Sequence, residues 1–284
     1  MAEIPAWLAP DAEDFDIREY TRTAVGSHED TLPLDEFTRH PLSPEALRAL
    51  AYLRDLERYT MHHLRNVLVT PSHKDARLTA FIASWAFEKY WIGDAFDRIL
   101  AVHETPAVAF HRKRNGFVRF AREFADRVSP IITSIRANTI GEDFVAIHVT
   151  RGTVDELVSR ASYTRLLERE PNGPLAEVID RFQTLRARHL HFFEGETLRR
   201  LKESAKARAL TRSSLKHSWT PTGTDDQAIE ETRFMMSYVF GDQRGKASII
   251  EIDHLIDALP GQEGLRVMSK ATKRFGVDPS EALA

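Results

Sequence analysis

Four stretches of this chain carry apolar residues at the spacing of one helix face, and three of them place a charged or titratable residue near the middle of that face. Taking about 100° per residue, Glu57 lies roughly 10° from the apolar direction of its helix, Lys89 roughly 30°, His189 roughly 20° and Arg186 roughly 40°, whereas Glu88 lies about 70° away. Charged side chains rarely enter a core without a partner. A fold that buries these residues must therefore bring them to one another or to a ligand. Taken singly, an inward charge is ordinarily a structural ion pair. Several of them on three helices at similar depth mark a candidate site.

The helix boundaries are read from local signals. Ser43-Pro44 supplies an N-cap followed by Pro at the first helical position, and Leu47, Leu50, Leu53, Met61, Leu64 and Leu68 continue to the Thr70-Pro71 break. A second helix is expected from about Asp75 to His103. The segment Phe117 to Val128 is aromatic and stops at Pro130. The run Phe144 to Thr150 fits strand or helix and is read as helix because its surroundings are helical. Thr153-Val-Asp-Glu156 matches a capping box opening a third helix that ends before Pro171. A fourth helix opens at Pro174 and continues towards His217. Trp219 to Gly223 reads as a linker. Thr224-Asp-Asp-Gln227 matches another capping box before a helix at 228–240 that stops at Gly241, and two short helical segments follow around 249–259 and 264–274. No β pattern competes. The expectation is an all-α chain of one domain over 1–284, with an arm at 1–42, a helical bundle at 43–217 and C-terminal helices at 224–284.

Composition narrows the function classes. The 284 residues contain no cysteine, which excludes disulfides, thiolate metal sites and a cysteine nucleophile. A formal net charge of −3 gives no global field for nucleic acid or an anionic membrane. No apolar run reaches the length of a membrane span, and the acidic, Pro-bearing start lacks the pattern of a signal peptide. A cytoplasmic location is expected, with neither nucleic acid nor membrane as partner.

The segment Ala83-Ser-Trp85-Ala-Phe-Glu-Lys89-Tyr-Trp-Ile92-Gly-Asp-Ala-Phe96 resembles the second metal-ligand helix of ferritin-like di-iron carboxylate proteins, the acyl carrier protein desaturase branch in particular. Leu185-Arg186-Ala-Arg-His189-Leu-His-Phe-Phe193 resembles the fourth helix of the same family. Tyr163-Thr164-Arg165 resembles its third-helix segment, and Glu57 falls where the first-helix Glu would lie. The resemblance covers roughly residues 45 to 200 and implies a ferritin-like four-helix bundle. The family's site takes four carboxylates and two histidines. Carried over by position, this chain keeps Glu57 and His189, but has Lys89, Thr164 and Arg186 in place of Glu and Ile92 in place of His. Two cations where anionic ligands belong repel a pair of metal ions. The resemblance therefore implies a degenerate site, with no cofactor. An alternative register keeps an iron site from Glu57, Glu88, Glu156 and His189.

Three functional readings follow. The first is a metal-independent descendant that binds or transforms a small organic acid or acyl ligand, with Arg186, Lys89 and Thr164 as ligand contacts and His189, Glu57, Lys89 and Arg186 as the reacting groups. The second is a di-iron oxygenase or desaturase with unusual ligands. The third is a non-catalytic structural pseudoenzyme. Two cations against one carboxylate would leave a positive excess, so the first reading expects an anion in the pocket, or Glu88 or Glu168 turned inward. The basic run Arg199, Arg200, Lys202, Lys206, Arg208, Arg212 and Lys216 is a solvated face or, by the family resemblance, a dock for an acyl carrier protein. Phe87, Tyr90 and Trp91 point off the core stripe and need a cover, with a homodimer favoured.

Overall fold

The computed structural model describes residues 15–68, 74–104, 143–221, 223–224 and 227–282, with the backbone alone for 61–68. The expected aromatic segment at 117–128 and the Thr70-Pro71 break lie outside these residues. Among the described residues every element is helical: α1 (Ile17–Arg22), α2 (Leu34–Arg39), α3 (Pro44–Leu68), α4 (Ala76–Val102), α5 (Asp143–Arg169), α6 (Gly173–Glu203), α7 (Ala205–Ser218), α8 (Ile229–Phe240), α9 (Gln243–Asp257) and α10 (Val267–Lys273), with short 3-10 turns at Glu29–Thr31 and Pro279–Ala282. The caps explain most of the starts. The Ser43 hydroxyl accepts from the Ala46 amide, Asp75 caps Leu78, and Asn172 caps Leu175 with Pro174 in the first turn.

Three local readings need correction. The run at 144–150 is helical as expected, but it is the first part of α5. Thr153 is therefore no N-cap: its hydroxyl donates to the Val149 carbonyl and meets the Thr197 hydroxyl across α6. The second capping box also fails, because Ala228 occupies the N-cap of α8 without a side-chain bond, and Gln227 instead donates to Asp55. The fourth helix breaks at Ser204, which ends α6 and caps α7 through the Ala207 amide.

The four long helices α3, α4, α5 and α6 pack as two hairpins, α3 with α4 and α5 with α6. Contacts at the ends fix their directions. At one end the Ser43 hydroxyl, before α3, donates to Glu170, after α5, and the Leu42 amide donates to His103, after α4. At the other end Arg200 of α6 reaches Asp75 before α4, and Ser204 reaches Asp143 at the head of α5. Hence α4 finishes and α5 begins at opposite ends, and each helix runs antiparallel to the partner of its hairpin. Helices α8 to α10 extend the same core: Phe240, Ile252, Ile256 and Met268 join one apolar cluster with Leu50, Phe96, Tyr163 and Phe182. A second cluster forms around Tyr20, Phe81, Trp85, Phe192 and Phe193. A layer of charged residues lies between them.

The arm is partly helical and packed: Tyr20 and Phe37 are buried. The segment read as a linker is also structural, with Trp219 buried and its indole N–H donating to Asp155 at 3.1 Å. Gly152 of α5 makes room for the Phe193 ring of α6, since a Cβ there would stand 2.5 Å from it. Gly152→Ala should therefore lower stability by about 1–3 kcal/mol in chemical denaturation; a variant as stable as the parent would contradict this packing.

Candidate functional site

The charged layer holds two clusters. In the first, Glu57 of α3, Lys89 of α4, Glu156 of α5 and Arg186 of α6 form a closed quartet. Lys89 Nζ lies 3.1 Å from Glu57 Oε2 and 3.5 Å from Glu156 Oε1. The Arg186 guanidinium bonds Glu57 Oε1 and lies 2.9 Å from Glu156 Oε2. Each carboxylate thus touches both cations, and each long helix contributes one charge. Two further donors complete the ring: the Tyr163 hydroxyl donates to Glu57 at 2.6 Å, and the Trp85 indole N–H donates to Glu156 at 3.0 Å.

The electrostatics follow from this closure. Burial pushes both carboxyls up, but Arg186 and then Lys89 outweigh it. Glu57 ends below its ordinary value and Glu156 near about 2. Burial works against the charge on Arg186 too, yet Glu156 and Glu57 hold it firmly protonated. Burial together with Glu57 raises the Tyr163 phenol well above its usual range, which keeps it a donor. The quartet is therefore ionised and balanced, two charges of each sign.

The second cluster gathers around Glu88. His189 Nε2 lies 2.7 Å from Glu88 Oε2, the Tyr20 hydroxyl donates to the same oxygen at 2.9 Å, and Arg188 donates to Oε1 at 2.6 Å. The Val25 amide adds a bond of 2.9 Å. Burial again pushes the Glu88 carboxyl up, but His189, Val25 and Arg188 bring it below its ordinary value. Two of these partners, Tyr20 and Val25, come from the arm. This cluster anchors the arm to α4 and α6.

Glu57, Lys89, Arg186 and His189 are all buried, as the periodicity requires. Several expectations are overturned. Thr164 is exposed and bonds the Arg160 carbonyl; its neighbour Tyr163 faces the quartet, one residue off the motif's register. Glu168 stays outside and pairs with Arg165. The positive excess does not arise, because Glu156 supplies the second carboxylate. Arg186 is consequently engaged and does not anchor a ligand's carboxylate. His189 belongs to the Glu88 cluster and is not part of the cavity wall described next, so it has no place as a proton shuttle there. The alternative iron set is split: Glu57 and Glu156 each face two cations, while Glu88 and His189 face each other. Among the described residues no three His, Asp or Glu side chains come together as metal ligands. The donor set does not fit a di-iron centre.

Beside the quartet lies a cavity of about 250 Å³. Lys89 and Glu156 of the quartet line it together with Arg151 and Asp155, with Ile82, Trp85, Val149 and Phe193 as apolar lining and the Trp219–Pro221 segment beside them. Lys89 is 7 % exposed, and it faces this space. Its ammonium carries three protons for two carboxylate neighbours.

Removing Glu57 strands a buried cation, so Glu57→Ala should cost about 3–5 kcal/mol in denaturant unfolding, whereas Lys89→Met should cost less because Arg186 still bridges both carboxylates. Equal losses in the two variants would contradict the quartet. The acid limb follows from the sign of the shifts. A carboxyl depressed in the folded chain contributes stability that is complete above its unfolded value, 4.5 for Glu156, and lost as pH falls towards about 2. Unfolding free energy should therefore fall steeply below pH 4.5, and less steeply in Glu156→Gln; identical slopes would contradict the ionised quartet.

Comparison with models of known families, with curated proteins and with solved structures gives no match for this chain. The geometry of the quartet and its cavity carries the functional reading.

Proposed function

We propose that the chain is a ferritin-like protein that works without metal and binds a small acyl ligand in the cavity beside Lys89. The ferritin-like reading is supported by topology. Four long helices form two antiparallel hairpins, and α4 ends at the opposite end of the bundle from where α5 begins, as in the arrangement with one long crossover found in that architecture. Glu57, Lys89 and Arg186 lie at one level of the bundle, where the resembled family carries ligands. In this reading the ammonium and guanidinium take the place of the two metal ions as the cations that bridge the carboxylates.

The observation that carries the ligand reading is the Lys89 ammonium in the lining of a largely apolar cavity. A buried ammonium that lines such a space can donate to a carbonyl oxygen placed there. A neutral acyl carbonyl fits better than a free carboxylate, because the quartet is already balanced and an added anion would upset it. Apolar walls suit a short acyl chain. The basic run does not support a carrier-protein dock strongly: Arg199 and Arg200 pair with Glu196, Lys206 with Asp143, and Arg212 with the Gly261 and Glu263 carbonyls. The exposed Phe87 and Tyr90, each 44 % exposed on α4, support self-association through this helix.

The structural reading is favoured by one observation: the quartet's carboxylates and guanidinium are almost wholly buried and mutually paired, as a register-fixing device would be. Thermal-shift and calorimetric titrations with short-chain acyl thioesters, the matching carboxylates and Lys89→Met separate the two. Stabilisation by the thioesters, weaker with the carboxylates and lost in Lys89→Met, is the expected result. No response to any of them would leave only the structural role.

A further inference from the structure

A second cavity, of about 650 Å³, opens between α5, α6 and α9. Nothing in the quartet or its cavity uses it. Leu157, Leu190, Ile252 and Leu255 give it apolar walls. Glu194 of α6 projects into it and is only 5 % exposed, and its Oε1 has no hydrogen-bond partner. A buried carboxyl with an unmet oxygen, lining an open apolar space, is an expensive arrangement for a folded chain to keep. The other inward carboxylates of the long helices have a cation against them: Glu57 Oε2 and Glu156 Oε2 also lack a hydrogen bond, but lie 3.1 Å from Lys89 and 2.9 Å from Arg186, respectively. Glu57 and Glu156 have the quartet, and Glu88 has its own cluster.

We propose that this cavity binds an organic ammonium, a primary amine on an apolar body, with Glu194 as its counter-ion. The amine's N–H groups would satisfy the unmet oxygen and its charge would compensate the carboxylate. The apolar walls would take the hydrocarbon. The other charged and titratable groups around the cavity are consistent with a cation. Arg160 of α5 and Glu251 of α9, both exposed, add one charge of each sign to its lining, and His191 lies one turn before Glu194 on α6. Among the described residues no three His, Asp or Glu side chains converge as metal ligands, so His191, Glu194 and Glu251 do not make a site for a bare metal ion.

The site also has a proton signature. Burial pushes the Glu194 carboxyl up to about 7, against the lowering effect of Arg160. Near neutrality the free site is thus partly protonated, and a cationic ligand must drive that proton off. Binding of n-hexylamine should release protons, more at pH 6 than at pH 8, and should tighten as pH rises across that range.

Calorimetry of the full chain with n-hexylamine, in buffers of different ionisation enthalpy, reads both affinity and proton release. n-Hexanol and hexanoate serve as the uncharged and anionic controls. The expected result is binding of the amine alone, with proton release that disappears in Glu194→Gln together with a loss of about tenfold or more in affinity. Glu194→Gln removes a poorly solvated carboxyl and should fold as well as the parent, which circular dichroism and thermal unfolding verify. Equal binding of n-hexanol and n-hexylamine, or an amine affinity unchanged in Glu194→Gln, would overturn the proposal. So would the absence of any amine binding by the folded parent chain.

Discussion

Four charges at the centre of the bundle must cancel one another, and most of the structure is arranged so that they do. Glu57, Lys89, Glu156 and Arg186 come from four different helices and meet within hydrogen-bonding or ion-pair distance. An ion in such an interior is tolerable only when its counter-ions are held close and its remaining donors and acceptors are met. The helices therefore cannot slide or rotate past one another without exposing a bare charge to the core. A wholly apolar layer would permit more registers. The quartet exchanges some stability for a single arrangement, as buried polar groups in helical assemblies can do.

The neighbours of the quartet follow from it. Tyr163 and Trp85 are large side chains with one polar atom each, and both atoms are directed at the carboxylates. Apolar clusters lie on either side of the layer, and Lys89 and Glu156 also line the cavity beside it. Glu88 and His189 lie at the same level on α4 and α6 but form a separate pair, and the arm reaches in to complete it with Tyr20 and the Val25 amide. The charged layer thus holds the long helices in register and holds the arm to them.

Much of this is legible in the sequence because helical geometry is so regular. The 3.6-residue period alone places Glu57, Lys89, Arg186 and His189 inside. It misplaces Glu156 for a physical reason. Thr153-x-x-Glu156 has the residues of a capping box, and the β-branched run at 144–150 hides the first turns of α5, so the helix axis cannot be set from 153 onward. With α5 starting at Asp143, the buried positions Val149, Thr153, Glu156 and Tyr163 fall on one line at spacings of four, three and seven, and Thr164 falls off it. Glu88 is hidden by the arm, whose short helices have no sustained period to read. The cavity at Glu194 is also invisible to periodicity, since part of its lining comes from α9, far along the chain.

The central claim is that protein cations, Lys89 and Arg186, bridge Glu57 and Glu156. Anaerobic reconstitution of the purified chain with ferrous iron, followed by elemental analysis and an optical spectrum on exposure to oxygen, tests it most directly. The account predicts substoichiometric iron, no di-iron absorption and an unchanged unfolding midpoint, because Lys89 and Arg186 already satisfy both carboxylates and repel a dication. A stoichiometric pair of irons that stabilises the fold and is lost in Glu57→Ala would contradict it.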